Sequence, residues 1–177
     1  MNNWSWSKKF INGKKLKLIV KTLLGDEAKN FGSELFAKPA KVGLSSPMHQ
    51  DNFYWCVDNA NGLTVWIALD QSNSKNGGVY YYKKTQKLGL LEHNLSYAPG
   101  SSQTLKYPKS MDFFKKITPK INIGDCIIHH CLAVHGSYKN TSSKSRRGLT
   151  VRYIGKSSKI DKDRKKKYEL QLKKNLR

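Results

Sequence analysis

The sequence is poor in acidic residues and contains no long apolar run. Asp and Glu together number 12 in 177 residues, against 33 Lys and Arg, so the formal net charge at pH 7 is +21. The longest apolar candidate, residues 16–24, is interrupted by Lys17 and Lys21 and is shorter than the roughly 18 residues that suggest a membrane-spanning helix. We therefore expect no membrane span. We also expect no secretory signal, because no small-residue cleavage site follows the N-terminal lysines.

The three cysteines also argue against a secreted, disulfide-stabilised protein. Cys56, Cys126 and Cys131 are an odd number, so they cannot all be paired, and without a secretory signal reduced thiols are expected. The chain length fits one domain with a sizeable core, since 38% of the residues are hydrophobic and 11% are aromatic. The sequence therefore predicts a globular, cytoplasmic protein.

The excess of positive charge allows two interpretations. Basic patches attract nucleic acid or anionic membranes, whereas lysines spread over a surface are simply solvated. The lysines here are distributed along the whole chain, and 25% charged residues is an ordinary share. Solvated lysines are the preferred interpretation, and nucleic acid stays an alternative partner.

Short apolar segments between turn signals predict a mainly β protein. Turns are indicated at Asn61-Gly62, Asn76-Gly77 and Pro99-Gly100. Many short strands without long helices between them are typical of an all-β sandwich or barrel. The predicted strands are residues 34–42, 53–57, 63–70, 78–83, 126–132, 134–138 and 148–154.

The other segments are predicted to be helical or irregular. Residues 15–24 favour a short helix that stops at Gly25. The polar stretch 91–119 is expected to be a long loop with one short helix at 110–117. The chain is thus predicted to consist of a short N-terminal helical segment (1–33), a β core (34–155) and a basic C-terminal tail (156–177).

The segment His49-Gln50-Asp51 is the first sign of a catalytic centre. In an extended strand, residues i and i+2 point to one face, so His49 and Asp51 converge while Gln50 points away. A further histidine, His135, follows an apolar run much later in the chain. Two histidines and one carboxylate on a β scaffold are the facial triad that suits non-haem iron(II), and they leave coordination positions for a chelating cosubstrate and O2.

Arginines after the second histidine complete the predicted site. A guanidinium binds a carboxylate bidentately, as the far end of 2-oxoglutarate requires. Arg146 shares a strand face with the small residues Gly148 and Thr150, so it is the predicted ligand of the cosubstrate. Arg147, one position on, is interpreted as a solvated residue. Trp66 lies between small residues on its strand face and is interpreted either as a wall of the same pocket or as a core residue.

A zinc site is a weaker interpretation of the cysteines and histidines around residues 126–135. Their spacing does not match that of structural zinc sites, and alternate residues of a strand face opposite ways. His130 is accordingly interpreted as a structural partner.

Taken together, these segments resemble the phytanoyl-CoA dioxygenase family between residues 34 and 153. Each motif is short, but the set occurs in the family's order and at similar spacing. The matching stretches are Leu35-Phe-Ala-Lys-Pro-Ala40, Pro47-Met-His-Gln-Asp51, Val65-Trp-Ile-Ala-Leu-Asp70, Asn76-Gly-Gly78, Gly124-Asp125 with Ile127-Ile-His-His130, and His135-Gly-Ser137 with Arg146.

The resemblance implies a double-stranded β-helix, or jelly roll, with a few peripheral helices. It implies iron(II) ligands at His49, Asp51 and His135, and contacts to 2-oxoglutarate from Arg146 and Trp66. The implied activity is that of an iron(II)- and 2-oxoglutarate-dependent dioxygenase, which uses O2 to hydroxylate a small organic molecule and releases succinate and CO2.

Two other functions stay open at this point. A nucleic-acid-modifying oxygenase would share the triad and explain the charge. A non-catalytic cupin-like binding protein, or an inactive relative, would share only the fold. The segment Lys83-Lys-Thr-Gln-Lys87 also departs from the family's usual Pro-Gly-Ser-His-Lys, so substrate contacts cannot be carried over there.

The short N-terminal region bears on the oligomeric state. Leucines and isoleucine between residues 16 and 24 are the main apolar groups available to cover one sheet. A bare sheet face would expose an apolar patch of the kind that soluble monomers avoid, and a second copy of the chain would cover it. A homodimer is therefore one expectation, although the charge of +21 opposes it.

Overall fold

The fold is built mainly from antiparallel strands, seen here in a computed structural model that describes residues 9–98 and 101–175. The strands are β1 (Ala28–Lys38), β2 (Ser46–His49), β3 (Gly62–Ala68), β4 (Val79–Tyr82), β5 (His93–Ala98), β6 (Ser101–Leu105), β7 (Lys116–Ile117), β8 (Cys126–His130), β9 (His135–Ser137) and β10 (Arg146–Gly155). The α-helices are α1 (Lys14–Leu24), α2 (Asp51–Trp55) and α3 (Lys162–Asn175), and short 3-10 helices span Thr85–Leu88 and Pro108–Phe113.

The strands form two four-stranded sheets and a hairpin. The first sheet has the order β1-β10-β3-β8, the second has the order β2-β9-β4-β7, and β5 pairs with β6 alone. Neighbours in the sheets are far apart in the chain and antiparallel. The predicted mainly β jelly roll with peripheral helices is confirmed.

One face of the first sheet packs under α1. Val20 and Leu24 of the helix are buried, and Gly25 ends it with a φ of 64°, the left-handed conformation that favours glycine. The helix therefore lies where the sequence predicts it and covers this face, while Leu18 and Leu23 remain exposed. Oligomeric state stays a prediction. The buried strand residues beneath the helix are Leu63, Val65, Ile67, Leu149, Val151 and Tyr153.

The opposite face of the same sheet points towards the second sheet. Residues two apart on a strand share a face, so the alternate residues of β3 and β10 that do not pack under α1 face inwards. A cavity of about 670 Å³ lies there, and both sheets contribute to its wall. The inward residues on β3, β8 and β10 are Thr64, Trp66, His129, Arg146, Thr150 and Arg152.

The predicted strand at 53–57 is wrong, because residues 51–55 form α2. The side chain of Asn52 accepts a hydrogen bond from the Val57 amide at 2.9 Å and donates one to the Val57 carbonyl at 3.0 Å. Cys56 then leaves the helix with a left-handed φ of 56°. These bonds close a single helical turn in spite of the strand propensity of Phe53, Tyr54 and Trp55.

The predicted loop at 91–119 and its helix at 110–117 are also wrong. The segment forms the β5–β6 hairpin, a 3-10 turn at Pro108–Phe113 and the short strand β7. β6 and β5 both pack close to β2, so the hairpin gains its order from tertiary contacts. At the other end of the core, β1 begins at Ala28, six residues before the predicted start at Glu34.

The basic tail is helical in its described part and packs on α2. Arg164 donates a hydrogen bond to the Asn52 carbonyl at 3.0 Å, and the Tyr168 hydroxyl lies 3.1 Å from the Ser102 hydroxyl. The division of the chain at 33 and 155 stays a prediction. Among the described helices, none combines the length and the apolar character that a membrane crossing needs.

Candidate metal centre

Three side chains predicted to bind metal meet at one end of the cavity. His49 is the last residue of β2, Asp51 is the first residue of α2, and His135 is the first residue of β9. His49 and His135 are register partners in the second sheet. Asp51 Oδ1 lies 3.8 Å from His49 Nε2 and 3.6 Å from His135 Nε2. One possible ligand atom from each residue lies within 4.8 Å of the other two.

Backbone carbonyls set the orientation of both imidazoles. His49 Nδ1 lies 2.8 Å from the Pro47 carbonyl, and His135 Nδ1 lies 2.9 Å from the Ala133 carbonyl. A carbonyl oxygen only accepts, so each Nδ1 carries the proton and donates it. Each Nε2 is therefore left with a lone pair at the centre, which is the arrangement that metal-binding histidines show.

The two oxygens of Asp51 have different surroundings. Thr64 Oγ1 donates a hydrogen bond to Oδ2 at 2.6 Å, and His129 Nε2 lies 3.2 Å from the same oxygen. Oδ1 instead faces His49 and His135. The carboxylate is thus held from behind by Thr64 and His129, and Oδ1 is free to bind a cation with the two imidazoles.

The protonation states at the centre also suit a cation. Burial lowers the pKa of His49, and burial together with His49 lowers the pKa of His135 to about 3. Burial would raise the pKa of Asp51, but His135, His129 and His49 hold it well below its usual range. At neutral pH the imidazoles are therefore neutral and the carboxylate is ionised, as metal ligands must be.

Gln50 lies between His49 and Asp51 in the sequence. Its hydrogen bonds connect the metal centre to neighbouring segments on the side away from the cavity. Its side chain is fully buried and donates to the carbonyls of Gly89, at 2.9 Å, and Leu132, at 2.8 Å. Its Oε1 accepts from the Leu91 amide at 2.8 Å, and its own amide donates to His93 Nε2 at 3.0 Å. Gln50 does point away from the centre, and its bonds hold the backbone between His49 and Asp51.

Arg146 lies in the wall of the same cavity and is 2% exposed. Its Nη2 donates to the Gly77 carbonyl, whereas its Nε has no partner among the described residues. Its guanidinium carbon lies 5.4 Å from the centre of the Trp66 ring. A Cβ at Gly148 would overlap that indole, so the glycine provides the space in which Trp66 lies beside Arg146.

The charges around Arg146 are mostly positive. Burial lowers its pKa to about 10, so it stays charged at neutral pH. Lys38 also lines the cavity, donates to the carbonyls of Leu44 and Tyr138, and has a pKa lowered to about 8 by burial and by Arg146. Buried cations without an anion are costly. This part of the cavity therefore suits a carboxylate.

Arg147 points the other way. It is exposed and forms a two-pronged ion pair with Asp70, in which Nε and Nη2 each lie 2.8 Å from a carboxylate oxygen. The structure thus places Arg146, and not Arg147, in the cavity with Trp66 and the three residues of the centre.

Sequence reasoning missed Thr64 and His129 as parts of the centre. Both lie on the inward face of the first sheet, and they are register partners on β3 and β8. The two-residue period of β8 places His129 on the same face as Ile127, but only the pairing of β8 with β3, in which Ile127 lies opposite Trp66, brings that face to the cavity. The cysteines take no part: Cys126 is exposed, and Cys131 donates from its Sγ to the Ala60 carbonyl.

Solved structures share this fold. The structure titled "non-heme monooxygenase; ThoJ apo" superposes with a TM-score of 0.75 at 23% identity, over 88% of this chain and 57% of that one. The epimerase SnoN from nogalamycin biosynthesis, solved with Fe3+, alpha ketoglutarate and nogalamycin RO, gives 0.73 at 18% identity over 87% and 60%. At these identities the likeness concerns the fold.

Relatives by sequence point to one family. A probable phytanoyl-CoA dioxygenase of Caenorhabditis elegans is 27% identical over 146 residues, which are 76% of this chain and 46% of that protein. The Arabidopsis thaliana phytanoyl-CoA dioxygenase is 28% identical over 68% of this chain and 42% of its own length. The chain thus spans less than half the length of these relatives. The family profile described as "Phytanoyl-CoA dioxygenase (PhyH)" matches residues 5–148. This chain belongs to the phytanoyl-CoA dioxygenase family.

Proposed function

We propose that this protein is an iron(II)- and 2-oxoglutarate-dependent dioxygenase that hydroxylates a small organic molecule. The observation that carries the proposal is the joint placement of two kinds of binding group in one cavity. His49, Asp51 and His135 offer three ligand atoms on one side. Arg146, buried and short of partners, lies in the same wall beside Trp66.

The donor set fits a non-haem iron(II) ion better than a structural zinc ion. Two neutral imidazoles and one carboxylate form the facial triad of non-haem iron(II) oxygenases, whereas structural zinc sites use four ligands, commonly with cysteine. Iron and 2-oxoglutarate, when bound, supply an oxidation in which O2 yields one oxygen to the substrate hydroxyl and one to succinate, with release of CO2. The protein supplies binding, orientation and electrostatics.

The residues of the chain have separate tasks in this proposal. His49 and His135 present Nε2 because their Nδ1 protons are committed to backbone carbonyls. Asp51 presents Oδ1 because Thr64 and His129 hold Oδ2. Arg146 binds the far carboxylate of 2-oxoglutarate, and Trp66 forms the wall against which the cosubstrate lies.

The test is a measurement of cosubstrate turnover by the full chain. We expect succinate from labelled 2-oxoglutarate, and we expect its formation to depend on both iron(II) and O2. Manganese(II) in place of iron(II) and an anaerobic sample are the controls. Tight iron and 2-oxoglutarate binding without any succinate, across a broad panel of small molecules, would instead indicate a binding protein.

The support behind Asp51 gives a prediction of its own. Thr64→Val and His129→Leu each remove one hydrogen bond to Oδ2, which frees the carboxylate to turn. Loss of such outer partners typically weakens metal binding by 10- to 100-fold, and we expect that range for iron(II) in an anaerobic titration. Cobalt(II) absorption should report the altered coordination independently of catalysis.

Two matched variants control for general damage to the cavity. Thr150→Val removes a hydroxyl that donates to the Glu34 carbonyl on the same sheet face. His130→Leu removes the neighbouring imidazole, whose Nδ1 accepts from the Leu132 amide. The iron(II) affinity of both variants should stay within about 3-fold of that of the unaltered chain. This change is smaller than the 10- to 100-fold loss expected for Thr64→Val and His129→Leu. If Thr64→Val and His129→Leu behave like these two, the positioning role is wrong.

A further inference from the structure

A second arginine, the half-buried Arg152, also lines the cavity, at a distance from Arg146. Both lie on the inward face of β10, six residues apart, which corresponds to about 20 Å along a strand. Arg152 is the register partner of Thr64 on β3, and Thr64 holds Asp51. The candidate metal centre therefore lies beside the Arg152 end of the strand, and Arg146 marks the opposite end of the cavity.

The guanidinium of Arg152 has no partner among the residues that the structure describes. Its Nε is inaccessible to solvent and makes no hydrogen bond, and the described residues provide neither an ion pair nor another hydrogen bond to its side chain. An unpartnered charged group in a cavity wall is costly unless something else binds it. Arg147 on the same strand differs in this respect, because its charge is balanced by an ion pair with Asp70 at the surface.

The backbone of β1 is shaped around this side chain. The β1–β10 register shifts between Asn30 and Gly32, so Phe31 is the extra residue of a bulge. Gly32 has a φ of 138°, and a Cβ there would lie 2.9 Å from Arg152 Nη2. A bulge beside a site re-aims a side chain. Here it leaves space for the guanidinium and directs Phe31 into the cavity wall.

The neighbouring wall is aromatic and basic. Phe31 packs on Trp55 with ring centres 5.7 Å apart. Lys165 of α3 lies 3.4 Å from the Tyr54 carbonyl and 5.3 Å from the Tyr168 ring centre, and it lines the same cavity. The acidic residues in the lining are Asp51, which is committed to the metal centre, and Glu34, which is exposed.

We propose that Arg152 binds an anionic group of the substrate, a carboxylate or a phosphate, whose apolar body lies against Phe31 and Trp55. This inference rests on the proposed function and adds the class of substrate to it. Arg146 would hold the cosubstrate at one end, Arg152 would hold the substrate at the other, and the metal centre would lie between the two bound molecules. A planar guanidinium with free donors suits either oxyanion.

The test compares probes that share a phenylalkyl body and carry an anionic or a neutral head group. 4-Phenylbutyrate and 4-phenylbutyl phosphate are the anions, and 4-phenylbutanamide is the neutral match. They are titrated by NMR into the full chain stripped of metal with EDTA, so the measurement does not depend on iron. We expect at least one anion to bind 10-fold more tightly than the amide. Which anion binds more tightly distinguishes a carboxylate substrate from a phosphate.

Variants assign the preference to one arginine. Arg152→Gln should lower the affinity for the preferred anion at least 10-fold and leave that for the amide within 2-fold. Arg152→Lys keeps the positive charge but loses the planar guanidinium with its paired donors, so the affinity for the anion should fall to an intermediate degree. Arg147→Gln is the matched control on the same strand, and Arg146→Gln should keep the preference because it lies at the other end.

The outcomes separate this inference from the proposed function. Equal binding of anions and amide, a preference that survives Arg152→Gln, or a preference lost in Arg146→Gln would overturn the assignment, whatever the enzyme does with iron. Iron-dependent succinate formation by the unaltered chain, measured without any probe, tests the oxygenase proposal separately. Its absence from the unaltered chain, with the anion preference intact, would overturn the oxygenase proposal alone.

Discussion

Replacing His49, Asp51 or His135 by alanine is expected to abolish stoichiometric iron(II) binding while the jelly roll stays folded. A facial site with two remaining ligands loses one third of its protein donors and, for Asp51, its only negative charge. The loss should be largest for Asp51→Ala, because that variant leaves two neutral imidazoles with no anion to balance the cation.

The measurement is an anaerobic titration with iron(II), followed by metal analysis after gel filtration. His130→Ala is the matched control, since this imidazole lies next to His129 but is absent from the cluster of ligand atoms. Circular dichroism and urea unfolding of the metal-free variants check that the fold is kept. If all three alanine variants bind iron(II) as tightly as the unaltered chain, the metal lies elsewhere.

Arg146→Ala is expected to weaken 2-oxoglutarate binding at least 10-fold. A hydrogen-bonded pair with a charged group contributes about 1.5–3 kcal/mol, and a bidentate contact in a buried wall should lie at the upper end. The truncation removes the guanidinium that lies beside Trp66. The cosubstrate therefore loses its ion-pair partner but keeps its contact with the Trp66 side chain. Iron(II) affinity without 2-oxoglutarate should change little.

Arg147→Ala provides the matched comparison one residue further along. Its guanidinium is bound by Asp70 on the outer side of the sheet, so its loss should alter 2-oxoglutarate binding by less than about 2-fold, as is usual for exposed ion pairs. Calorimetric titrations with manganese(II) in place of iron(II) prevent turnover while affinity is measured. The reverse ranking of the two variants would move the cosubstrate site by one residue.

The parts of this structure that follow a local pattern could be predicted from the sequence. Alternation along β3 and β10 separates Val65 and Val151, which pack under α1, from Trp66 and Arg146, which face the cavity. The same two-residue period brought His49 and Asp51 to one side, although only the first of them lies in a strand and the second begins α2.

The parts that depend on pairing between distant segments could not be predicted. Thr64 and His129 support Asp51 only because β3 and β8 pair in one register. The turn at α2 forms because Asn52 binds Val57 on both sides, which overrides strand propensity. The β5–β6 hairpin likewise depends on contacts with β2, and neither composition nor periodicity of residues 91–119 indicates them.

The hydrogen bonds of Gln50 have a consequence for how the chain can diversify. They tie the stretch from Gly89 to His93 to the backbone between His49 and Asp51. An insertion or deletion in that stretch would therefore disturb the ligand geometry, so its length is constrained. The bulge of β1 and the helix α3 carry no such bond to Gln50. New substrate preferences would accordingly arise by substitution at Phe31 and Lys165 before they arise by remodelling the turn around residue 90.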